Sequence, residues 1–443
     1  MRYISHAPSE IDEMLETLGI PGVESLFDDV PDNVKLSQGM NLPKPLSEVE
    51  LKSELLNISK KNKAAEYVNF IGAGAYDHHI PAVVNALLSR SEFYTSYTPY
   101  QAERSQGTLA AIFEYQTMIA KLTGMDVVNA SIYDGASSLA EAVLMACNIK
   151  KRNKVVISGA IHPDYITTVK TYGFGADIHV MSSSYTTSYE TDWEQVEDLI
   201  DDSTAALAIS MPNFFGVLED VKRAEKIARE KGVMLIVLAN PISLGLLKPP
   251  SDYGAHIVVG EGQPLGNPLN YGGPYLGFMG TKSQYVRRMP GRIVGETVDT
   301  HGKRAFVLTL QAREQHIRRE KATSNICSNQ ALNALAATIY LAYLGKKGLR
   351  DVAYHSHVKA QYFINQVKKS DETKVINSKV FNEVVVEINN LDYKYQQALE
   401  HGILPGMKLD RFFPDEKDKL LVAFTEKRSK RQIQELLKVL GVS

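Results

Sequence analysis

Residues 256–280 read HIVVGEGQPLGNPLNYGGPYLGFMG. The segment begins with a β-branched apolar run at residues 256–259 and closes with a second run of strand length at residues 277–280. Glycine and proline recur through the residues between them, a composition typical of tight turns and unfavourable for a helix. The segment therefore predicts two short strands joined by a glycine-rich turn, with Gln263 just beyond the end of the first strand.

The same kind of apolar run recurs along the chain from about residue 70. Amphipathic stretches of helical length separate the runs, at residues 138–150, 192–200 and 220–231. Apolar runs buried on both faces and joined by crossover helices predict an α/β fold with a mostly parallel, seven-stranded sheet. The seven runs are residues 127–130, 155–158, 178–181, 206–210, 233–239, 256–259 and 277–280.

The pattern divides the chain into three regions. Residues 1–69 predict a helical arm, because prolines interrupt the helices and too little apolar sequence is present for a separate core. The pattern predicts a large α/β domain at residues 70–327 and a smaller C-terminal α/β domain at residues 328–443. The C-terminal elements are a long helix from residue 328 to about 345, strands at 383–388 and 420–424, and helices at 394–401 and 430–440.

Composition describes an ordinary soluble globular protein. The chain has 443 residues, 44% hydrophobic and 23% charged, with a formal net charge of −2, so nothing indicates a nucleic acid or a membrane as partner. Cys147 and Cys327 lack the spacing of a disulfide framework or a zinc site, and we expect no metal. We therefore expect a protein of the reducing cytoplasm.

Residues 134–138, Asp-Gly-Ala-Ser-Ser, follow a strand run and open a helix. The backbone N–H groups of Gly135, Ala136 and Ser137, together with the helix dipole, could hold a phosphate. Glycine and serine at a helix start are also ordinary turn and cap residues. Both interpretations stay open at this point.

Two polar residues follow predicted strands. His162 lies just after the run at 155–158, and Asn240 ends the run at 233–239. Parallel sheets bind ligands beyond the carboxyl ends of their strands, where both residues are expected. A lone histidine at such a position either contacts a ligand or is a hydrogen-bonded structural residue.

Two further segments carry polar and aromatic groups. Residues 93–107 include Tyr97, Tyr100 and Glu103, and indicate either a binding surface at a pocket rim or plain packing. The consecutive residues Thr323, Ser324 and Asn325 offer hydroxyl and amide donors suited to a phosphate. They alternatively cap the helix that follows.

Basic residues are in local excess between Lys282 and Lys321. A solvated helix face with internal ion pairs accounts for some of the excess, and binding of an anion or an acidic partner accounts for it better. The bases are Lys282, Arg287, Arg288, Arg292, Lys303, Arg304, Arg313, Arg318, Arg319 and Lys321, and the acids are Glu296, Asp299, Glu314 and Glu320.

Together these segments resemble the P-protein family of the glycine cleavage system, the glycine decarboxylases, and in particular the α subunit of its two-chain form. The resemblance covers most of the large domain, and its last stretch is the most specific. The matching stretches are residues 97–107 (YTPYQAERSQG), 134–142 (DGASSLAEA), 212–216 (PNFFG), 260–273, 290–295 (PGRIVG) and 310–325 (LQAREQHIRREKATSN).

The resemblance implies a fold-type I pyridoxal phosphate (PLP) architecture, in which the lysine that anchors PLP belongs to a homologous β subunit of an α2β2 assembly. In this chain Gln263 stands where that lysine would be, and an amide cannot form an imine with an aldehyde. Asn240 likewise replaces the aspartate that would pair with the pyridine nitrogen. The implied degenerate pocket comprises Gly135, Ala136, Ser137, His162, Asn240 and Gln263, with no catalytic residue on this chain alone.

The family reaction is glycine decarboxylation with transfer of the aminomethyl group to the lipoyl arm of H-protein. By resemblance, Thr323, Ser324 and Asn325 are expected to donate to the partner's PLP phosphate across the subunit interface. We expect Tyr97, Tyr100 and Glu103 at the substrate or lipoyl entrance. We expect Arg287 and Arg288 to dock the acidic H-protein.

Two other classes of function remain open. The chain could be a self-sufficient PLP enzyme that uses another lysine, such as Lys248 or Lys282. It could instead be a purely structural partner with an empty pocket. A cofactor absorbance band in the chain purified alone would favour the first, and full activity of the partner without this chain would favour the second.

Overall fold

The computed structural model describes residues 6–36 and 39–442. The chain divides into two compact units, Met1–Ala64 and Ala65–Ser443. The first unit contains helices α1 (Pro8–Leu18) and α2 (Glu48–Ser59). Helix α1 ends at Gly19, which adopts a left-handed conformation, and α2 begins at Ser47, whose side chain accepts a hydrogen bond from the Glu50 N–H.

The second unit contains the sheets. Its helices are α3 Ala82–Leu88, α4 Ser91–Tyr94, α5 Gln106–Thr123, α6 Gly135–Lys150, α7 Pro163–Gly175, α8 Trp193–Leu199, α9 Val221–Glu230, α10 Gln315–Arg318, α11 Ala331–Val367, α12 Leu391–Glu400 and α13 Lys430–Val439. Its strands are β1 Val68–Asn69, β2 Val127–Val128, β3 Lys154–Ile157, β4 His179–Ser182, β5 Thr204–Met211, β6 Met234–Ala239, β7 Ile257–Glu261, β8 Gly277–Thr281, β9 Ile293–Val298, β10 Arg304–Thr309, β11 Thr373–Val375, β12 Glu383–Ile388, β13 Ile403–Leu404, β14 Met407–Lys408 and β15 Lys419–Ala423.

Among the described residues, seven strands form the central sheet in the order β2-β8-β7-β6-β5-β3-β4. Only β8 runs against its neighbours, β2 and β7. Alternate residues of β6 enter different cores, since Leu235 packs in one cluster and Ile236 in another. The prediction of a mostly parallel sheet buried on both faces, built from the seven apolar runs, is confirmed.

A smaller antiparallel sheet follows in the order β11-β12-β15-β14. Its core includes Phe363 of α11, Phe424 and Ile433 of α13. The predicted C-terminal strands and helices are confirmed within a few residues. The helix predicted to end near Gly345 breaks there, where φ is 58°, but α11 resumes at once and continues to Val367.

The sequence pattern missed one hairpin. Strands β9 and β10 pair with each other, and Val294, Phe306 and Leu308 pack on Leu109 and Ile112 of α5. The other face of the hairpin is solvated. No helix in the described parts of the chain is both long enough and apolar enough to span a membrane.

Candidate functional site

A cavity of about 60 Å³ lies where β5, β6 and β7 end. Parallel sheets bind ligands at this edge because the carboxyl ends of neighbouring strands meet there. The cavity brings together the predicted residues His162 and Asn240. Its other linings include Tyr165, Phe214, Glu261 and Pro264, and Gln263 adjoins it.

Gln263 is only 1% exposed, and its amide is fully engaged within the chain. Its Oε1 accepts a hydrogen bond from the Tyr76 N–H at 2.9 Å. Its Nε2 donates to the carbonyls of Tyr76 at 3.1 Å and Asn267 at 2.8 Å. The side chain at the lysine position is therefore a structural link between residue 76 and the turn after β7.

Glu261 is the last residue of β7 and is 8% exposed. Its Oε1 accepts hydrogen bonds from the N–H groups of Gln263 at 2.8 Å and Leu276 at 2.9 Å, and its Oε2 accepts from Gly135 at 2.9 Å. Burial raises the pKa of this carboxyl to about 7, against the lowering effect of the three donors. The sequence reasoning did not select Glu261, although it lies two residues before Gln263.

The predicted anion site at the start of α6 is occupied by side chains of the same protein. Asp134 caps the helix, and its Oδ1 accepts from the Ser137 N–H at 2.7 Å and from the Ser137 hydroxyl at 2.8 Å. The Gly135 N–H points to Glu261. Ala136 lies on the same turn. The start of α6 thus has the ordinary cap chemistry that the sequence left open.

His162 caps α7, since its Nδ1 accepts from the Asp164 N–H at 3.1 Å. This bond places the proton of the neutral ring on Nε2. Burial is the main cause that lowers the pKa of the imidazole. The ring stacks on Tyr165, with centroids 5.1 Å apart, and meets Phe214 edge-on at 4.8 Å. His162 is therefore a structural cap that also lines the cavity.

Asn240 forms a local turn beyond β6. Its Oδ1 accepts from the Ile242 N–H at 3.0 Å. The uncharged amide offers no counter-charge to a pyridinium. Neither Lys248 nor Lys282 is among the residues that line the cavity. Lys282 follows β8, which runs antiparallel to β7, and so lies at the opposite edge of the sheet.

Thr323, Ser324 and Asn325 lie in a different cleft, of about 750 Å³, together with Glu141 and Tyr172. The Ser324 hydroxyl accepts from the Ile326 N–H at 2.9 Å. Burial raises the pKa of Glu141 to about 7. Helix α11 begins only at Ala331, after Gln330, so the alternative that Thr323–Asn325 cap this helix is wrong.

The tyrosine segment is exposed, with Tyr97 at 85% and Tyr100 at 59%. Glu103 is exposed as well. The Arg292 guanidinium lies 5.9 Å from the Tyr100 ring centroid and donates to the Cys327 carbonyl at 3.0 Å. Arg292 therefore connects the tyrosine segment to the residues that follow Thr323–Asn325. Arg292 belongs to the stretch PGRIVG, but the sequence pattern did not predict that it connects these two segments.

Arg287 and Arg288 end a short 3-10 turn and are exposed in this chain. Arg288 donates to the Asn148 side chain at 3.1 Å. Asn148 also lines the cleft that contains Thr323. Arg288 thus lies beside that cleft, and neither arginine lines the cavity of Gln263.

Comparison with known proteins extends over the whole chain. The family model described as glycine cleavage system P-protein matches residues 1–440. A probable glycine dehydrogenase (decarboxylating) subunit 1 from Carboxydothermus hydrogenoformans is 52% identical over 100% of this chain and 99% of its own length. The protein of the same name from Syntrophomonas wolfei is 49% identical with the same coverage.

One solved structure gives the same family, and a second shares the fold. An inhibitor-bound glycine decarboxylase (P-protein) of the glycine cleavage system has a TM-score of 0.89 and 39% identity, covering 99% of both chains. Glutamate decarboxylase from Lactobacillus brevis has a TM-score of 0.69 at 13% identity, covering 94% of this chain and 96% of its own, and so shares the fold alone.

Proposed function

Because the chain belongs to the glycine cleavage system P-protein family, we propose that it is the α subunit of a two-chain glycine decarboxylase. In the proposed assembly, a homologous β subunit anchors PLP, and the pair decarboxylates glycine. The aminomethyl group passes to the lipoyl arm of H-protein. The observation that carries the assignment of roles is the buried amide of Gln263 at the lysine position, which has no amine for a covalent bond.

The residues around Gln263 do not fit PLP. Asn240 is uncharged, and the Gly135 N–H at the start of α6 is bound to Glu261. PLP on the partner supplies the electron sink that decarboxylation requires. This chain contributes by completing the partner's site, as is expected where two homologous chains share an interface.

Three groups of residues on this chain have proposed roles in the assembly. Thr323, Ser324 and Asn325 donate to the phosphate of the partner's cofactor. Tyr97, Tyr100 and Glu103 line the entrance for substrate or the lipoyl arm, and their exposure in the single chain supports a role at an interface. Arg287 and Arg288 dock the H-protein. We propose an α2β2 assembly with an obligate α–β pair.

We further propose that the assembly works in the cytoplasm. The supporting observation is that Cys147 and Cys327 are both free thiols, one buried and one exposed. Free thiols are typical of a reducing compartment.

The test is to assay glycine–bicarbonate exchange with each subunit separately and with the two mixed. We expect exchange only in the mixture, and borohydride followed by peptide mapping should place the pyridoxyl group on the partner. A stoichiometric adduct on a lysine of this chain would establish it as a self-sufficient PLP enzyme. Full exchange activity of the partner alone would make this chain a purely structural subunit. Either result contradicts the proposal.

A further inference from the structure

The start of α6, like other helix N-termini, has the features that bind an anion. Backbone N–H groups at a helix N-terminus are unpaired within the helix and lie at the positive end of its dipole. A phosphate at such a position is stabilised by both effects. In this chain, however, carboxylates of the protein itself use two of these N–H groups, those of Gly135 and Ser137.

Glu261 is fixed at this position from three sides. Its donors belong to the turn after β7 (Gln263), to the residue before β8 (Leu276) and to α6 (Gly135). A carboxylate held by three backbone N–H groups cannot swing aside without leaving them unpaired in a buried region, which is costly. Glu261 is therefore a permanent occupant of the site.

The backbone around the carboxylate leaves little room for a second anion. A Cβ atom on Gly135 would lie 2.7 Å from the Tyr165 hydroxyl and 3.0 Å from the Glu261 Cβ. A Cβ on Gly277 would lie 2.3 Å from the Asp134 carbonyl oxygen. A phosphate would have to displace Glu261 or share the space with it and with Asp134. Like charges at such short range in a buried site repel strongly.

We infer that the Glu261 carboxylate takes the place of a phosphate at the start of α6, so that this pocket excludes phosphate-bearing ligands, PLP included, even where no covalent bond is required. The exclusion is separate from the loss of the lysine. An amine at position 263 would restore covalent capture of an aldehyde but would not restore any preference for its phosphate.

The experiment compares PLP with pyridoxal, which has the same aldehyde and ring but no phosphate. Both are offered at pH 8 to the full-length chain carrying Gln263→Lys, and the adduct on residue 263 is trapped with borohydride and quantified by peptide mapping. At this pH Glu261 is ionised, because its pKa is about 7. We expect the apparent affinity for PLP to be no higher than that for pyridoxal.

The double variant Gln263→Lys with Glu261→Ser removes the carboxylate and opens the space beside the Gly135 N–H. Here we expect PLP to be preferred by about ten-fold or more, since the freed N–H groups can bind a phosphate. A second double variant combines Gln263→Lys with Glu261→Gln. This substitution removes the charge, keeps the size of the side chain and retains one acceptor oxygen. If Glu261→Ser fails to fold, Glu261→Gln tests the same point, because its ratio of PLP to pyridoxal affinity should rise above that of Gln263→Lys alone.

The matched control is Glu383→Gln combined with Gln263→Lys. Glu383 is also a buried carboxyl whose pKa is raised to about 7, but it accepts from Ala73 and Tyr76, not from α6. Adding Glu383→Gln should leave the ratio of PLP to pyridoxal affinity as it is in Gln263→Lys alone. A ten-fold preference for PLP in Gln263→Lys alone would overturn the inference. So would a ratio of PLP to pyridoxal affinity that rises in neither variant lacking the Glu261 charge.

Discussion

The cavity beside Gln263 and the cleft beside Thr323 differ in where their polar groups find partners. In and around the cavity, the side chains of Gln263, Glu261 and Asn240 all hydrogen-bond the chain's own backbone. In the cleft, the Thr323 hydroxyl and the Asn325 amide have no partner within the part of the chain that the structure describes. The carboxyl and amide groups at and beside the lysine position are thus bonded within the chain, whereas the Thr323 hydroxyl and the Asn325 amide are open.

This difference separates inherited architecture from present use. The strand ends and the glycine-rich turn belong to the fold, and a fold does not by itself set the function of a site. A polar group buried without a partner costs free energy, so a pocket without its ligand is expected to acquire internal partners. Groups that face outward carry no such penalty. They are where the proposed contacts of this subunit lie.

The largest expected effect comes from breaking the closed region at Glu383. Its carboxylate joins β12 to the segment beside the cavity, accepting from the Ala73 N–H at 2.7 Å and the Tyr76 hydroxyl at 2.6 Å. Burial raises its pKa to about 7 from 4.5. The folded state therefore binds the proton more tightly than the unfolded state, and the stabilisation is complete below about pH 4.5 and lost as the pH rises through about 7.

In wild type, the free energy of unfolding should accordingly fall between pH 5 and pH 8. The amide of the variant Glu383→Gln can hydrogen-bond both partners. In this variant, the fall in the free energy of unfolding over the same pH range should be smaller by about 2–3 kcal/mol. Denaturant melts of the full-length chain at a series of pH values measure it. Glu400→Gln, at an exposed position on α12, is the control and should follow wild type. Equal pH slopes in Glu383→Gln and wild type would show that Glu383 titrates normally.

The second prediction concerns the cleft beside Thr323. Thr323→Val in the reconstituted assembly should weaken PLP binding by about ten- to a hundred-fold, since a hydroxyl donor to a dianionic phosphate contributes roughly 1.5–3 kcal/mol. Because α11 begins at Ala331, the hydroxyl caps no helix, and the melting temperature of the assembly before PLP is added should not change. Cofactor titration and thermal melting of the same sample measure both.

Thr171→Val is the matched control for Thr323→Val. Thr171 lines the same cleft from α7, and its hydroxyl bonds the Thr167 carbonyl at 3.0 Å. Its loss should leave cofactor affinity unchanged. If the two variants bind PLP equally well, the cleft does not contact the phosphate.

The contrast between these regions also shows what the sequence could predict. The seven strand runs were recognisable because they are β-branched and buried on both faces, and His162 and Asn240 came together because each follows such a strand. The β9–β10 hairpin was missed because its solvated face carries residues such as Arg304 and Glu296, which pair at 2.8 Å. Glu261 was missed because its partner Gly135 lies 126 positions away in the sequence.

The smallest effect is expected at Arg287 and Arg288. These two residues extend the proposed contact surface beyond the cleft. A carrier that delivers a swinging arm must bind weakly and leave quickly, so its docking should be steered by charge. Both arginines are exposed, and Arg288 bonds Asn148 at the cleft edge. Reversing both to glutamate in the assembled enzyme should raise the KM for H-protein by about three- to ten-fold and flatten its dependence on ionic strength.

The KM for glycine should stay unchanged, because charge steering acts on the carrier and not on a small zwitterion. Arg431→Glu is the control, since Arg431 is exposed on α13 and pairs with Glu435 at 2.9 Å. A general effect of net charge would appear in this variant too, whereas a docking surface restricts the effect to Arg287 and Arg288. If the double reversal leaves an intact assembly with the wild-type KM and salt dependence for H-protein, the carrier docks elsewhere and these two arginines are only solvated charges.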